Sequence, residues 1–158
     1  MKKPEMAFIF LGSKPSVLRD VGRLIHTATS LEASVFGAKI DPASALIERY
    51  ADPADPSCVV IIILTGDDYC RVKARPLGGW EQRPNQDVIL SLGYFVGRLP
   101  EQRVIVLHER NVVGPGMVEG VTYLCIEDSD LLVQLARSLE RCGATIDYSL
   151  IPERRAAP

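Results

Sequence analysis

Residues 58–64 read CVVIIIL, an unbroken apolar run rich in β-branched side chains. β-Branched residues favour strands, and successive side chains of a strand point to opposite faces. A strand that is apolar at every position is therefore covered on both faces. The run predicts a central strand of a parallel sheet with helices on either side.

Further apolar segments with strand or helix periodicity alternate on both sides of this run. The predicted strands are residues 7–11, 33–36, 58–64, 104–107 and 122–126, and the predicted helices cover residues 16–28, 42–50, 87–99 and 129–142. The alternation predicts an α/β fold, a flavodoxin-like three-layer sandwich whose five-stranded parallel sheet has the order 2-1-3-4-5. We expect one domain over residues 1–150 and a tail or linker over residues 151–158.

The composition is that of an ordinary globular domain. The 158 residues are 47% hydrophobic and 24% charged, with a formal net charge of −2. A net charge this small, with basic and acidic residues interspersed, produces no field that would attract nucleic acid or an anionic membrane. No apolar run is long enough to span a bilayer, and no signal-peptide core follows Met1, so we expect a cytoplasmic protein.

The four cysteines are far apart in the sequence, and two histidines accompany them. This spacing does not match the known patterns of metal ligands, and we predict no metal site. Cys58 and Cys125 fall within apolar strands. These two thiols are interpreted as small buried side chains in a reducing compartment.

Polar and glycine residues follow the first and third predicted strands. They are Gly12 and Ser13 after the first strand, and Thr65, Asp67 and Asp68 after the third. In open parallel sheets ligands bind at the carboxyl ends of the strands, at the point where the strand order reverses. We therefore expect these residues to gather with the start of the helix at residue 87 and to form a ligand site.

Three segments in sequence order carry a resemblance to a known family. They read IILTGDD at residues 62–68, PNQDVILSLGYFVGRL at 84–99 and VIVL at 104–107. They resemble the TIR-like domains of effectors in CBASS and Pycsar anti-phage systems, in which a strand ending LTPDD precedes a helix reading RQNVIFELGYFIGKLGR. Pro115 and the stretch from Gly120 to Tyr123 are similar to that family's PSD-x-x-G-x-x-Y segment.

The resemblance implies a substrate and a mode of regulation. TIR domains of this type hydrolyse NAD⁺, release nicotinamide and assemble with one another when a sensor domain binds a cyclic nucleotide. By that resemblance NAD⁺ or a related nucleotide is a substrate rather than a resident cofactor, self-association is expected, and a sensor domain lies outside this chain. The glutamate of the family's FELGYF motif falls on Ser91.

A serine at that position removes a charge that the reaction uses. Cleavage of the nicotinamide–ribose bond develops oxocarbenium-like positive charge, which a nearby carboxylate stabilises. We therefore expect Ser91 to lower the rate about a hundredfold to ten-thousandfold. Asp87, one helical turn earlier, is a candidate replacement; the competing interpretation is that Asp87 caps the helix or complements its dipole.

Each of the other candidate residues has more than one interpretation. Asp67 and Asp68 are pocket carboxylates or magnesium ligands, or else the polar turn after a strand. Arg83 contacts a phosphate or is a solvated loop residue. Trp80 stacks on an adenine, contacts another subunit or packs down onto its loop.

Three other classes of function fit the same topology. A phosphorylation-driven receiver needs an acidic pair just after the first strand, whereas this strand ends in Leu11 and is followed by Gly12 and Ser13. A flavodoxin needs a phosphate loop, and the proline in the turn from Gly12 to Ser16 removes a donor amide. The remaining alternative is a non-enzymatic module that binds a nucleotide or associates with itself.

Overall fold

Five parallel strands form the central sheet in a computed structural model that describes residues 4–37, 58–71 and 79–153. The sheet strands are β1 (Met6–Leu11), β2 (Glu32–Gly37), β3 (Cys58–Leu64), β6 (Val104–His108) and β7 (Thr122–Cys125), and the helices are α1 (Pro15–Ala28), α2 (Gln86–Val96) and α3 (Leu131–Arg141). The order β2-β1-β3-β6-β7 is the predicted order 2-1-3-4-5 when the sheet strands alone are counted. The helix predicted to begin at Asp41-Pro42 lies outside the described residues.

The two faces of β3 explain its uniform apolarity. Val59, Ile61 and Ile63 belong to the core on the side of α1 and α3. Val60 and Ile62 belong to the core on the opposite side, with α2. Every residue of β3 is buried, so the central strand predicted from the sequence and the three-layer arrangement are confirmed.

The stretch after β3 contains a hairpin that the sequence did not predict. Strands β4 (Asp68–Cys70) and β5 (Glu81–Arg83) pair antiparallel, apart from the main sheet. Each strand is three residues long and mostly polar, so it carries too few apolar positions for an alternating pattern to be visible.

The ends of two helices follow local capping chemistry. The side chain of Asn85 accepts a hydrogen bond from the Asp87 N–H at 2.9 Å and caps α2. After α3, Gly143 adopts a φ of 95°, and its N–H donates to the Glu140 carbonyl at 2.8 Å. Gly143 therefore ends α3, because this left-handed conformation favours glycine.

The segment after α3 returns to the body of the protein. Ile146 forms a β-bridge with Thr29, and Ile151 packs partly buried against the core beside α1 and α3. The division into a domain over residues 1–150 and a tail over residues 151–158 stays a prediction. No helix in the described part of the chain is long and apolar enough to cross a membrane.

Candidate functional site at the carboxyl edge of the sheet

The carboxylate of Asp67 joins the loops that follow β1 and β3. Its Oδ1 accepts hydrogen bonds from the Ser13 N–H at 2.9 Å, from the Ser13 hydroxyl, and from the Thr65 hydroxyl at 2.8 Å. The Ser13 N–H also lies 3.1 Å from Thr65 Oγ1. These loops meet where the strand order reverses, which is the ligand-binding position in sheets of this topology.

Gly12 allows these two loops to approach each other. A Cβ atom at Gly12 would lie 2.0 Å from Asp67 Oδ2 and 2.2 Å from Thr65 Oγ1, far inside normal contact distance. Asp67 Oδ2 is buried and has no hydrogen-bond partner among the described residues. The structure thus brings together four of the predicted site residues, Gly12, Ser13, Thr65 and Asp67.

Glu109 and Lys14 extend this cluster, and the sequence analysis missed both. Glu109 follows β6; its Oε2 accepts a hydrogen bond from the Gly66 N–H at 2.6 Å, and its Oε1 forms an ion pair with the Lys14 ammonium. The Glu109 N–H donates to the Leu64 carbonyl at 3.1 Å. A signal was available, because Glu109 lies just beyond a predicted strand and so at the same edge of the sheet.

A second carboxylate, Glu127, lies close enough to Lys14 for the ammonium charge to lower its pKa. Glu127 accepts hydrogen bonds from the Cys125 thiol at 3.0 Å and from the Arg110 N–H at 3.2 Å. Partial burial of Glu127 raises its pKa, but the thiol and backbone hydrogen bonds and the Lys14 charge together outweigh that effect and hold the pKa below its ordinary value. The loop after β1 therefore lies in an acidic surrounding.

Ser91 lies on the buried face of α2. The residue is 4% exposed, and its hydroxyl donates to the Asp87 carbonyl one turn earlier at 2.9 Å. Such a back-bond satisfies a short hydroxyl inside its own helix. Because α2 packs on β3 and β1, the buried face of the helix that carries Ser91 is turned towards the sheet.

Asp87 lies in the first turn of α2, with an exposed side chain. The expectation that Asp87 caps the helix is wrong, because Asn85 caps it; an acidic residue in the first turn does complement the helix dipole. Ser91 is buried and Asp87 is exposed, so the two side chains do not share one environment. A catalytic role for Asp87 stays a prediction.

The remaining candidates lie on or beside the β4–β5 hairpin. Asp68 is opposite Arg83 in the register of the hairpin, and the Arg83 guanidinium pairs with Glu81 at 3.0 Å. Arg83 is thus in a strand and not in the predicted loop. Trp80 is 69% exposed, which contradicts packing down onto its loop. Contacts of Trp80 and Arg83 with a nucleotide stay predictions.

The thiols differ in their environment. Cys58 and Cys142 are buried, whereas Cys70 and Cys125 are partly exposed, so the expected burial is confirmed for Cys58 and wrong for Cys125. Within residues 4–37, 58–71 and 79–153, no group of three or more histidine, cysteine, aspartate or glutamate side chains is placed to hold a metal ion.

The sheet and the cluster at its edge define the class of this protein. It is a doubly wound α/β domain of five parallel strands, with an acidic and hydroxyl-bearing cluster at the reversal point of its sheet. A model of the TIR domain of CAP12/Pycsar effector proteins matches residues 7–128, which is most of the chain. The chain belongs to this family of effector TIR domains.

A curated relative is similar over much of the same length. The "Uncharacterized protein YuaY" of Escherichia coli (strain K12) is 27% identical over 121 residues, which are 77% of this chain and 40% of that protein. The chain thus spans less than half the length of that relative. No solved structure matches the chain.

Proposed function

We propose that this chain is the TIR-type effector domain of a bacterial anti-phage nucleotide-signalling system, with NAD⁺ hydrolysis as its family activity and with Ser91 impairing that reaction. The observation that carries the proposal is the family match over residues 7–128 together with the place of Ser91 on the buried face of α2. In the wider proposal, self-association and a cyclic-nucleotide sensor outside this chain regulate the domain.

The position of Ser91 explains how a longer side chain would reach the site. Side chains on a helix lean towards its N-terminus, so a residue covers the turn before its own Cα. The N-terminus of α2 follows the hairpin that begins at Asp68, beside the loop that contains Thr65 and Asp67. A glutamate at position 91 would extend towards this edge, whereas the Ser91 hydroxyl ends on the Asp87 carbonyl.

The chemistry of the remaining site favours binding over cleavage. The Asp67 carboxylate is engaged by Ser13 and Thr65, and the Glu109 carboxylate by Lys14 and Gly66. Lys14 offsets the charge of Glu109, and three hydrogen bonds to Oδ1 withdraw charge from the Asp67 carboxylate, so both stabilise a developing oxocarbenium charge less than an unpaired carboxylate would. Both pairings therefore support an impaired reaction in the chain as it stands.

The test compares the unchanged chain with Ser91→Glu and with Ser91→Gln, which has the same shape without the charge. Each protein is incubated with NAD⁺ at high protein concentration, nicotinamide release is measured by chromatography, and thermal unfolding verifies the fold. We expect Ser91→Glu to exceed both other proteins by about a hundredfold to ten-thousandfold. Full activity of the unchanged chain would show that the catalytic position is assigned wrongly.

A non-enzymatic binding or self-association module is the second candidate function, and the buried, self-satisfied Ser91 hydroxyl favours it. Calorimetric titration with NAD⁺ separates the two candidates. Binding of NAD⁺ without nicotinamide release in any of the three proteins, even when they are assembled, would support the module. Absence of both NAD⁺ binding and nicotinamide release would contradict the enzyme and the nucleotide-binding module and leave only self-association.

A further inference from the structure

A cleft of about 170 Å³ opens beside the carboxyl ends of β3 and β6, with Tyr123 of β7 in its wall. Its apolar walls include the side chains of Leu64 and Val112, and two rings, His108 and Tyr123, face it with centroids 6.5 Å apart. The remaining wall residues are Gly114, Pro115 and Met117. Pockets that enclose whole drug-sized ligands measure roughly 300–1,000 Å³, so this cleft has room for one ring system of a larger molecule.

The two rings give the cleft a definite hydrogen-bonding pattern. His108 Nδ1 lies 3.1 Å from the Glu109 backbone carbonyl, which only accepts hydrogen bonds, so Nδ1 carries the proton and Nε2 of the neutral ring is an acceptor. The Tyr123 oxygen accepts a hydrogen bond from the Val118 N–H at 3.0 Å. Its own hydroxyl hydrogen therefore serves as a donor.

One acceptor beside one donor matches adenine. On its major-groove edge adenine presents the N6 amine as a donor and N7 as an acceptor, whereas guanine presents two acceptors, N7 and O6. An adenine ring in the cleft would place its amine against His108 Nε2 and its N7 against the Tyr123 hydroxyl. Guanine would place O6 against the Nε2 lone pair, which is repulsive.

The cleft is close enough to the cluster around Asp67 for one ligand to reach both. Neighbouring strands are about 4.8 Å apart, so β7 lies about 14 Å from β1 across the sheet. Leu64 belongs to the same strand end as Thr65, and His108 directly precedes Glu109. A ligand with its base in the cleft could extend along this edge towards Ser13.

We propose that this cleft binds the adenine ring of an adenine nucleotide, with His108 and Tyr123 reading its edge. The choice of adenine nucleotides as probes rests on the proposed NAD⁺-related function; the binding itself does not require hydrolysis. The adenine belongs either to NAD⁺ or to a separate nucleotide, and the probes below separate these sources.

Two glycines of the same loop provide the variant and its matched control. A Cβ atom at Gly114 would lie 3.6 Å from Leu64 Cδ1, an ordinary contact that directs a larger side chain into the cleft. A Cβ atom at Gly116 would meet nothing within 4 Å. Gly114→Leu therefore fills the cleft, and Gly116→Leu places the same side chain in open space. Gly114→Ala is a milder variant for use if Gly114→Leu does not fold.

Isothermal titration of the full chain with AMP, ADP-ribose, GMP and nicotinamide mononucleotide tests the proposal. We expect AMP and ADP-ribose to bind, GMP to bind at least about tenfold more weakly, and Gly114→Leu to weaken AMP binding by at least about tenfold while Gly116→Leu leaves it unchanged. AMP that binds as tightly as ADP-ribose indicates a separate nucleotide as the source; ADP-ribose that binds much more tightly indicates NAD⁺.

Four results would overturn the proposal, and the first three concern nucleotide binding. They are no AMP binding to the unchanged chain, equal AMP binding by the Gly114 and Gly116 variants, and nicotinamide mononucleotide binding that Gly114→Leu abolishes. A change in sedimentation caused by Gly114→Leu with unaltered AMP binding would assign the cleft to a second copy of the chain and would also overturn it. AMP has no nicotinamide bond, so these outcomes are independent of the Ser91→Glu result.

Discussion

The Asp67 carboxylate accepts a hydrogen bond from the Ser13 backbone N–H at 2.9 Å, although the two residues are 54 positions apart in the sequence. This bond, with those from the Ser13 and Thr65 hydroxyls, holds the ends of β1 and β3 in fixed relation. The site at the reversal point of the sheet therefore depends on one carboxylate.

Asp67→Asn should destabilise the protein. The amide oxygen still accepts, but the amide NH₂ would occupy the buried position of Oδ2, where the described residues provide no partner. A buried unsatisfied donor costs about 1–3 kcal/mol, which is measured as a lower midpoint of urea unfolding. Asp68→Asn, at a partly exposed position on the hairpin, is the control and should change stability by less than about 0.5 kcal/mol. Equal effects of the two variants would contradict the role of Asp67.

Two glycine-to-alanine changes should shift the free energy of unfolding in opposite directions. At Gly12 the new methyl would lie 2.0 Å from Asp67 Oδ2, so the loops must separate, with an expected loss of about 1–3 kcal/mol. At Gly22, inside α1, a Cβ atom meets nothing within 4 Å, and alanine favours helix by about 0.5–1 kcal/mol. Thermal unfolding measures both. A Gly12→Ala protein as stable as Gly22→Ala would show that the loops do not need their close approach.

The Glu109 carboxylate should stabilise the protein more through its hydrogen bond with the Gly66 N–H than through its ion pair with Lys14. Glu109→Gln removes the ion pair with the half-exposed Lys14 but keeps an oxygen for the Gly66 N–H, so we expect a loss of at most about 1 kcal/mol that shrinks with added salt. Glu109→Ala also removes the acceptor and should cost about 1–3 kcal/mol, with a weaker dependence on salt. Unfolding in urea at low and high salt separates the two contributions, and a larger effect of Glu109→Gln would reverse this ranking.

Cys142 should make the stability of the protein fall at high pH. Burial raises the pKa of this thiol to about 11, and the thiol donates to the Gln102 carbonyl at 2.7 Å. A raised pKa in the folded state means that the stabilisation is complete below the unfolded-state pKa of about 8.5 and is lost as the pH rises towards 11. The stability difference between the unchanged protein and Cys142→Ala should therefore shrink from pH 8 to pH 11. A constant difference would contradict the shift.

The sheet was predictable because its signals are local. The run from Cys58 to Leu64 is apolar at every position, and only a strand covered on both faces requires that pattern. The order of the sheet strands followed from short connections and right-handed crossovers. The hairpin was not predictable, because three-residue strands such as Asp68–Cys70 are stabilised by pairing with a partner and not by their own pattern.

The candidate site was predictable only in part. Gly12, Ser13, Thr65 and Asp67 follow strand ends directly, so the topology alone brought them to one edge. Glu109 was missed although it follows a strand too, because its role depends on contacts with Lys14 and Gly66 that lie far away in the sequence. The exposure of Asp87 and the burial of Ser91 depend on how α2 packs against the sheet.

The sequence by itself determined the doubly wound sheet and the family resemblance, since apolar periodicity and a contiguous helix motif are properties of neighbouring residues. Only the tertiary structure decided the bonds of the Asp67 carboxylate, the capping of α2 by Asn85 rather than Asp87, and the enclosure of a cleft by His108 and Tyr123. Hydrogen bonds and cavities between loops depend on distances across strands, and those distances are set when the helices pack and the strand ends come together.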